Sequence, residues 1–365
     1  LKIAVIAHLK FPIGQPYLGG LEMHTHHLAG ALRRRGHRVT LFAAAGSDPA
    51  LVPDPVCPPT GDALGDPVAF ERIARAEHAA YERIVEAIAQ GGFDVIHNNS
   101  LHPLPLKASN HLVAPMVTAL HTPPFDSLTE GVLAAKPGMI FAAVSPSLAQ
   151  EWAELAPNAR IIGNGIDLST FAFSPAADPA GYVFWSGRIV PEKGTHLAID
   201  AARAAGIPLR FAGPQPNPRY WDEWIAPRLG EGVTYVGHLS HAALAGQLGG
   251  ARAAIVSPRW EEPFGLVVAE ALACGTPVAA FARGAIPDIV DRQSGALARA
   301  DDVADLARAI TRAVGLDRRA CRRRAETLYD ADVMTDGYED LYREVLAGET
   351  PARRPTRPVL ERLIA

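Results

Sequence analysis

W-E-E-P-F-G-L-V-V-A-E-A-L-A-C-G-T-P-V, residues 260–278, is the run from which the rest of the chain can be read. It follows Ala253, Ala254, Ile255 and Val256, an apolar run of strand length, so residues 257–265 form the loop leaving a strand's carboxyl end. Pro263 biases Glu262 towards an extended backbone, and Leu266 to Ala273 then read as one buried helix. Gly275 caps that helix and Pro277 prevents its continuation. The first N–H groups, near Phe264, Gly265 and Leu266, have no acceptor within the helix, and the helix dipole makes this end a seat for phosphate. Glu262 lies on the loop beside that seat. Glu270 lies in the second turn with its side chain leaning back towards the helix start, so both carboxylates can face one ligand. An anion-binding end flanked by two carboxylates suits a phosphorylated polyol: phosphate takes the N–H groups and the carboxylates take hydroxyls. Glu270 could instead be an exposed helix residue. Its neighbours are apolar on every side, however, and a buried unpaired carboxylate is costly, which favours a functional role.

Glu262, seven residues and then Glu270, with P-F-G between them and E-A-L-A-C-G-T-P-V after, resembles the large family of retaining glycosyltransferases that contains sucrose synthase and bacterial mannosyl- and glucosyltransferases. The resemblance to this family, glycosyltransferase family 4-like, runs from Ile3 to about Leu346. It implies an α/β chain of GT-B fold, two Rossmann-like doubly wound domains facing each other across a cleft. It also implies that Glu262 contacts donor-sugar hydroxyls and that Glu270 contacts the nucleotide ribose.

The composition agrees with two domains. A chain of 365 residues exceeds one ordinary core and suits two of roughly 150–200 residues each. With 48% apolar and 20% charged residues it is globular, and a net charge of −4 argues against a general nucleic-acid binder. Cys57, Cys274 and Cys321 are far apart, odd in number and without metal-ligand spacing, so the expected compartment is the reducing cytosol. No apolar run approaches the ~20 residues needed to span a bilayer, so any membrane contact is expected to be peripheral.

In chain order, Ile3 to Ala7 is a strand, a loop delivers Gly19 and Gly20, and a helix runs from about Leu21 to Arg35. This second anion-binding end lacks the full dinucleotide fingerprint; the resemblance places Gly19 and Gly20 near the donor diphosphate and the acceptor. His24, His26 and His27 have no completing ligand, so they are expected to line an acceptor cleft or face solvent rather than hold a metal. The proline-rich run 46–67 is expected to be an irregular loop on the acceptor side. With Val39 to Phe42 and four further short apolar runs, the first half counts six strands of a parallel doubly wound sheet. His121 closes one of them in L-H-T-P-P, where such sheets bind ligands, and the resemblance places it near the transferred sugar. Ser145 and the segment I-G-N-G-I-D at 162–167 also fit the pattern.

Residues 171–181 are expected to link the domains, which gives an acceptor-side domain 1–172, a donor domain 173–340 and a tail 341–365 that returns to the first domain or stays mobile. The strand Tyr182 to Ser186 leads into G-R-I-V-P-E-K-G at 187–194. Arg188 and Lys193 would point at the ligand, and two cations there can neutralise a diphosphate. The resemblance assigns both to the diphosphate, with Gly187 beside them, and assigns the base to the loops around Gly213 and around Gly237, His238 and Leu239. Residues 283–288, R-G-A-I-P-D, stand where the family often has G-G-x-P-E. Arg318 to Arg324 are expected to form a solvated helix face, and Asp330-Ala331-Asp332 is a chance match to a D-x-D metal motif.

The expected reaction is transfer of a hexose from a nucleotide diphosphate sugar to a hydroxyl of a sugar, lipid or small-molecule acceptor, with the configuration retained and without metal or cofactor. A UDP-sugar is favoured and a GDP-sugar comes next. His121, Glu262, Arg188 and Lys193 would carry catalysis. The donor would be held by Gly19, Gly20, Gly187, Gly213, Gly237, His238, Leu239, Phe264, Gly265, Leu266 and Glu270. The alternatives are a sugar-nucleotide epimerase or sugar phosphorylase on the same fold, or a nicotinamide-dependent oxidoreductase.

Overall fold

Short apolar runs buried on both faces pair as parallel strands, and the helices between them supply the covering layers. In the computed structural model, which describes residues 1–63 and 65–348, the described chain forms two compact units: residues 1–163 with 334–348, and residues 164–333.

The first unit contains β1 (Lys2–Ile6), α1 (Gly20–Arg34), β2 (Arg38–Ala44), β3 (Pro53–Cys57), α2 (Pro67–Gly91), β4 (Val95–Asn98), α3 (Pro103–Ala108), β5 (Met116–Leu120), α4 (Asp126–Leu133), β6 (Ile140–Ala143), α5 (Pro146–Glu151) and β7 (Arg160–Ile161). The strands are parallel in the order β3-β2-β1-β4-β5-β6-β7, with Ile3 opposite both Val39 and Val95. The strand order reverses between β1 and β4, which opens a crevice beyond their carboxyl ends.

The second unit contains β8 (Val183–Ser186), α6 (Thr195–Ala204), β9 (Leu209–Ala212), α7 (Pro218–Tyr220), β10 (Val233–Tyr235), α8 (His241–Gly250), β11 (Ala254–Val256), α9 (Leu266–Ala273), β12 (Val278–Phe281), α10 (Ile286–Ile289), β13 (Gly295–Ala298), α11 (Val303–Ala313) and α12 (Arg318–Leu328). Its parallel order, β10-β9-β8-β11-β12-β13, reverses between β8 and β11. Trp185, Phe211, Phe281, Ile199 and Ile310 fill its core. The last helix, α13 (Ala331–Leu346), carries Met334, Tyr338, Leu341 and Tyr342 into the core of the first unit, against Ile3, Val5, Leu28 and Val117.

Several expectations change. The proline-rich run 46–67 is not irregular throughout: residues 53–57 pair with β2 as a seventh, edge strand, where Pro53 and Pro55 do no harm because one side of the strand needs no N–H donors. β13, G-A-L-A, lacks any β-branched residue and carries no strand signal of its own. Residues 171–181 are not a free linker. Phe171 is fully buried, its carbonyl accepts from Arg322, and the Ser174 N–H donates to the Cys274 carbonyl, so this segment packs within the second unit, which runs from Asn164 to Val333.

The arginine run is not a solvated face either. The Arg318 guanidinium donates to the carbonyls of Ser174, Ala251, Gly249 and Cys274 at 2.7–3.3 Å and to Thr276 Oγ1 at 3.0 Å. Arg322 donates to the Ala273 carbonyl at 2.8 Å, and Arg324 to Ile289 at 2.6 Å and to Asp291. α12 therefore satisfies orphan carbonyls at the ends of α8, α9 and α10, groups that would otherwise be buried unpaired. Arg319 and Arg323 alone stay exposed in that run. Asp330 caps α13 by accepting from the Asp332 N–H at 3.0 Å. Residues 350–365 lie outside the described residues. Among those described, no helix is long and apolar enough to cross a membrane.

Candidate active site

The predicted donor residues of the second unit gather at the carboxyl ends of adjacent strands. Gly187 and Arg188 follow β8, Gly213 follows β9, Gly237, His238 and Leu239 follow β10, and the loop 257–265 follows β11. Gly213 has φ +146°, and a Cβ there would overlap the carbonyl oxygen of Gly187, so the two loops pass backbone against backbone. The Gly213 N–H donates to the Gly237 carbonyl at 3.0 Å and ties in the third loop.

Ser257 joins the loops across the switch point. Its hydroxyl donates to the carbonyls of Lys193 and Gly194 at 3.2 and 3.0 Å and accepts from Trp185 Nε1 at 3.1 Å. Lys193 is thereby carried beside the 257–265 loop. Its Nζ meets Glu262 Oε2 at 2.6 Å and lies 5.0 Å from the centre of the Trp260 ring, while Trp260 Nε1 donates to the same carboxylate oxygen at 3.2 Å. A cation, a carboxylate and an indole thus hold one another. Behind Glu262, Gly284 turns with φ +54°, and the Ala285 N–H donates to the Glu262 carbonyl at 2.8 Å. The R-G-A variant at 283–285 keeps the glycine this approach requires, since a Cβ at 284 would overlap the Glu262 backbone. Asp288 is exposed on α10.

α9 opens at Leu266 after Gly265, which has φ +90°, and Phe264 beside it is buried against Tyr329. Among the described residues the N–H groups of Gly265, Leu266 and Val267 have no acceptor. Glu270, one turn in, is 4% exposed and its Oε2 has no hydrogen-bond partner. Burial alone pushes its carboxyl up to about 7. Arg188 is exposed, and among the described residues it has no ion-pair partner.

In the first unit Gly19 and Gly20 open α1, whose Glu22 is buried 3.2 Å from His8 Nε2. A Cβ on Gly19 would stand 2.9 Å from Glu22 Oε2, the end of a side chain that is itself buried against His8. His121 follows β5. Its Nε2 is 2.9 Å from Asn99 Oδ1, and burial depresses its pKa to about 3, so the ring is neutral. His24 is not at a cleft wall or in solvent: it is fully buried, its ring centre 4.6 Å from that of His121. Ser145 caps α5 by accepting from the Leu148 N–H at 3.0 Å.

Sequence reasoning missed Trp260, which no spacing singles out, and the polar residues His97, Asn98 and Asn99 that end β4. The latter did leave a signal: three polar residues closing an apolar strand at a sheet's switch point. Among the described residues no group of three His, Cys, Asp or Glu side chains is arranged to hold a metal ion.

Two family models divide the chain. Glycosyltransferase Family 4 matches residues 18–170 and Glycosyl transferases group 1 matches residues 170–327. A phosphatidyl-myo-inositol mannosyltransferase of Mycolicibacterium smegmatis is 30% identical over 339 residues, covering 85% of this chain and 84% of that protein. A glycogen synthase of Mycobacterium tuberculosis is 28% identical over 404 residues, covering 94% and 95%. Among solved structures, the Anabaena protein HepE in complex with UDP-glucose superposes with a TM-score of 0.72 at 17% identity, covering 95% of this chain and 99% of that one.

Proposed function

The chain belongs to the glycosyltransferase family described by those two models, and on that premise we propose that it moves a hexose from a nucleotide diphosphate sugar to an acceptor hydroxyl, retaining the anomeric configuration and needing no metal. One observation carries the reading: the buried, unpartnered carboxylate of Glu270 one turn inside α9, behind a helix start whose N–H groups are open. An unsatisfied buried carboxylate is tolerated where a ligand completes it. Ribose hydroxyls donating to Glu270 and a diphosphate accepting from α9 would satisfy both groups at once.

Cleaving the anomeric bond builds negative charge on the departing diphosphate and positive charge on the sugar. Arg188, Lys193 and the α9 N–H groups stabilise the first, in place of a metal ion. Lys193 must exchange Glu262 for the diphosphate, which frees a Glu262 oxygen to accept from sugar hydroxyls. The acceptor attacks from the face the diphosphate leaves, and the departing phosphate oxygen takes the acceptor's proton. In this scheme Glu262 orients the sugar and Gly187, Gly213, Gly237, His238 and Leu239 surround the nucleotide, while the first unit supplies His121, Gly19 and Gly20 as substrate contacts. A UDP-sugar stands first, in keeping with the UDP-glucose held by the Anabaena neighbour, and a GDP-sugar second.

The test is thermal stabilisation of the full chain by a panel of nucleoside diphosphates, their sugar conjugates and nicotinamide dinucleotides, with chelator present, because a ligand of the native state raises its melting point. A shift with one nucleoside diphosphate, followed by transfer to an acceptor with retained configuration, supports the proposal. A shift with nicotinamide dinucleotides alone would overturn it. Release of nucleotide only in the presence of acceptor separates transfer from epimerisation, and dependence on free phosphate would reveal a phosphorylase.

A further inference from the structure

Four polar side chains of the first unit, three of them fully buried, form a continuous hydrogen-bonded line. Tyr342 Oη, on α13, is 2.8 Å from His97 Nδ1; His97 Nε2 is 3.0 Å from Asn99 Oδ1; and the same oxygen is 2.9 Å from His121 Nε2. Asn99 Nδ2 is 3.2 Å from Thr25 Oγ1 on α1. Tyr342, His97, Asn99 and Thr25 are all fully buried, so none of them can exchange partners with solvent.

Donor and acceptor counting selects one proton arrangement. An amide oxygen only accepts, so with Oδ1 facing both imidazoles each must carry its proton on Nε2. His97 Nδ1 is then a lone pair and accepts from the Tyr342 hydroxyl. Turning the Asn99 amide over would put protons on both Nδ1 atoms, and His97 would donate to Tyr342. The buried phenol O–H would then have nothing to donate to, since His97 Nδ1 is the acceptor it meets among the described residues. An unmade hydrogen bond of that kind costs about 1–3 kcal/mol. Burial keeps the Tyr342 hydroxyl protonated, with its pKa well above the usual range, so the donor at the end of the line is permanent.

We propose that Tyr342, through His97 and Asn99, fixes His121 as the tautomer with its proton on Nε2, leaving Nδ1 as a lone pair that accepts from a substrate hydroxyl. Tyr342, His97 and Asn99 are positioning residues, and the C-terminal helix reaches the site through them. This inference rests on the reading of His121 as a substrate contact.

The test is imidazole nitrogen NMR on the full chain labelled with 15N-histidine, with the His121 signals assigned by their loss in His121→Gln. In the unsubstituted protein His121 is expected to show a protonated Nε2 and a bare Nδ1. Tyr342→Phe deletes only the hydroxyl, makes the two amide orientations comparable, and should bring up the opposite tautomer of His121. Asn99→Ala, which removes the shared acceptor, should do the same and guards against a silent or unfolded Tyr342 variant. Both should lower kcat about ten-fold with the donor KM little changed, the scale of one hydrogen bond lost in the transition state. An unchanged His121 tautomer in both folded variants would overturn the relay. A changed tautomer with unchanged transfer would overturn instead the reading of His121 as a substrate contact.

Discussion

At the scale of single residues the second unit holds two opposite solutions for a charged side chain. Lys193 and Glu262 neutralise each other at 2.6 Å, whereas Glu270 has no cation and is raised to about 7 by burial alone. A carboxyl whose folded pKa lies above its unfolded value adds stability that is full at low pH. That stability is lost as pH rises from the unfolded value through the folded one, here between about 4.5 and 7. Without ligand, the protein should therefore lose on the order of 2–3 kcal/mol across that window through this group. Glu270→Gln should flatten that part of the stability profile, measured by denaturant unfolding from acid to neutral pH, while weakening donor binding. An unaltered profile would show that Glu270 titrates as if it were in water. Lys193→Ala should act chiefly on turnover, lowering kcat by roughly 10²-fold with a smaller change in donor KM, because the charge it meets is largest in the transition state. Unchanged kinetics would remove Lys193 from the site.

At the scale of elements, what matters is how α9 is held. Its apolar residues place it between sheet and helix layers, but its carboxyl end depends on α12: Arg318 reaches the Cys274 carbonyl and Arg322 the Ala273 carbonyl. Arg318→Ala would leave several buried carbonyls without a donor and should cost at least about 3 kcal/mol, since hydrogen bonds to charged groups contribute 1.5–3 kcal/mol each. Chemical denaturation would read this directly, and a loss below about 1 kcal/mol would mean that water replaces the guanidinium. The arginine run looked like a solvated face because five cations in seven residues usually are one. A sequence shows how many donors an element carries, and only packing shows which carbonyls they meet.

At the scale of the whole molecule, the chain leaves the first unit at Gly163 and re-enters it at Met334. Tyr338 and Tyr342 are both fully buried there, and with Met334 and Leu341 they each contribute roughly 1.5–3 kcal/mol of burial, a sum comparable to the whole stability of a domain. Ending the chain at Val333 should therefore abolish the cooperative unfolding of residues 1–163 while the second unit keeps its own transition. Calorimetry with limited proteolysis would separate the two, and a truncated chain with both transitions intact would show α13 to be dispensable.

Most of the strands and helices, the helix start after Gly265 and the places of Glu262 beside it and Glu270 one turn in were legible in the sequence. Each depends on residues close in the chain: an apolar run, a glycine after it, a helix whose period sets which side chains share a face. β3 and β13 were not legible, because prolines at an edge and small residues in a G-A-L-A strand are made into strands by their neighbours. The Lys193–Glu262–Trp260 cluster, the arginine staples and the line from Tyr342 to His121 were decided by tertiary structure alone. Hydrogen bonds and ion pairs act over about 3 Å in space, and no local pattern records which distant residues the fold will bring to that distance.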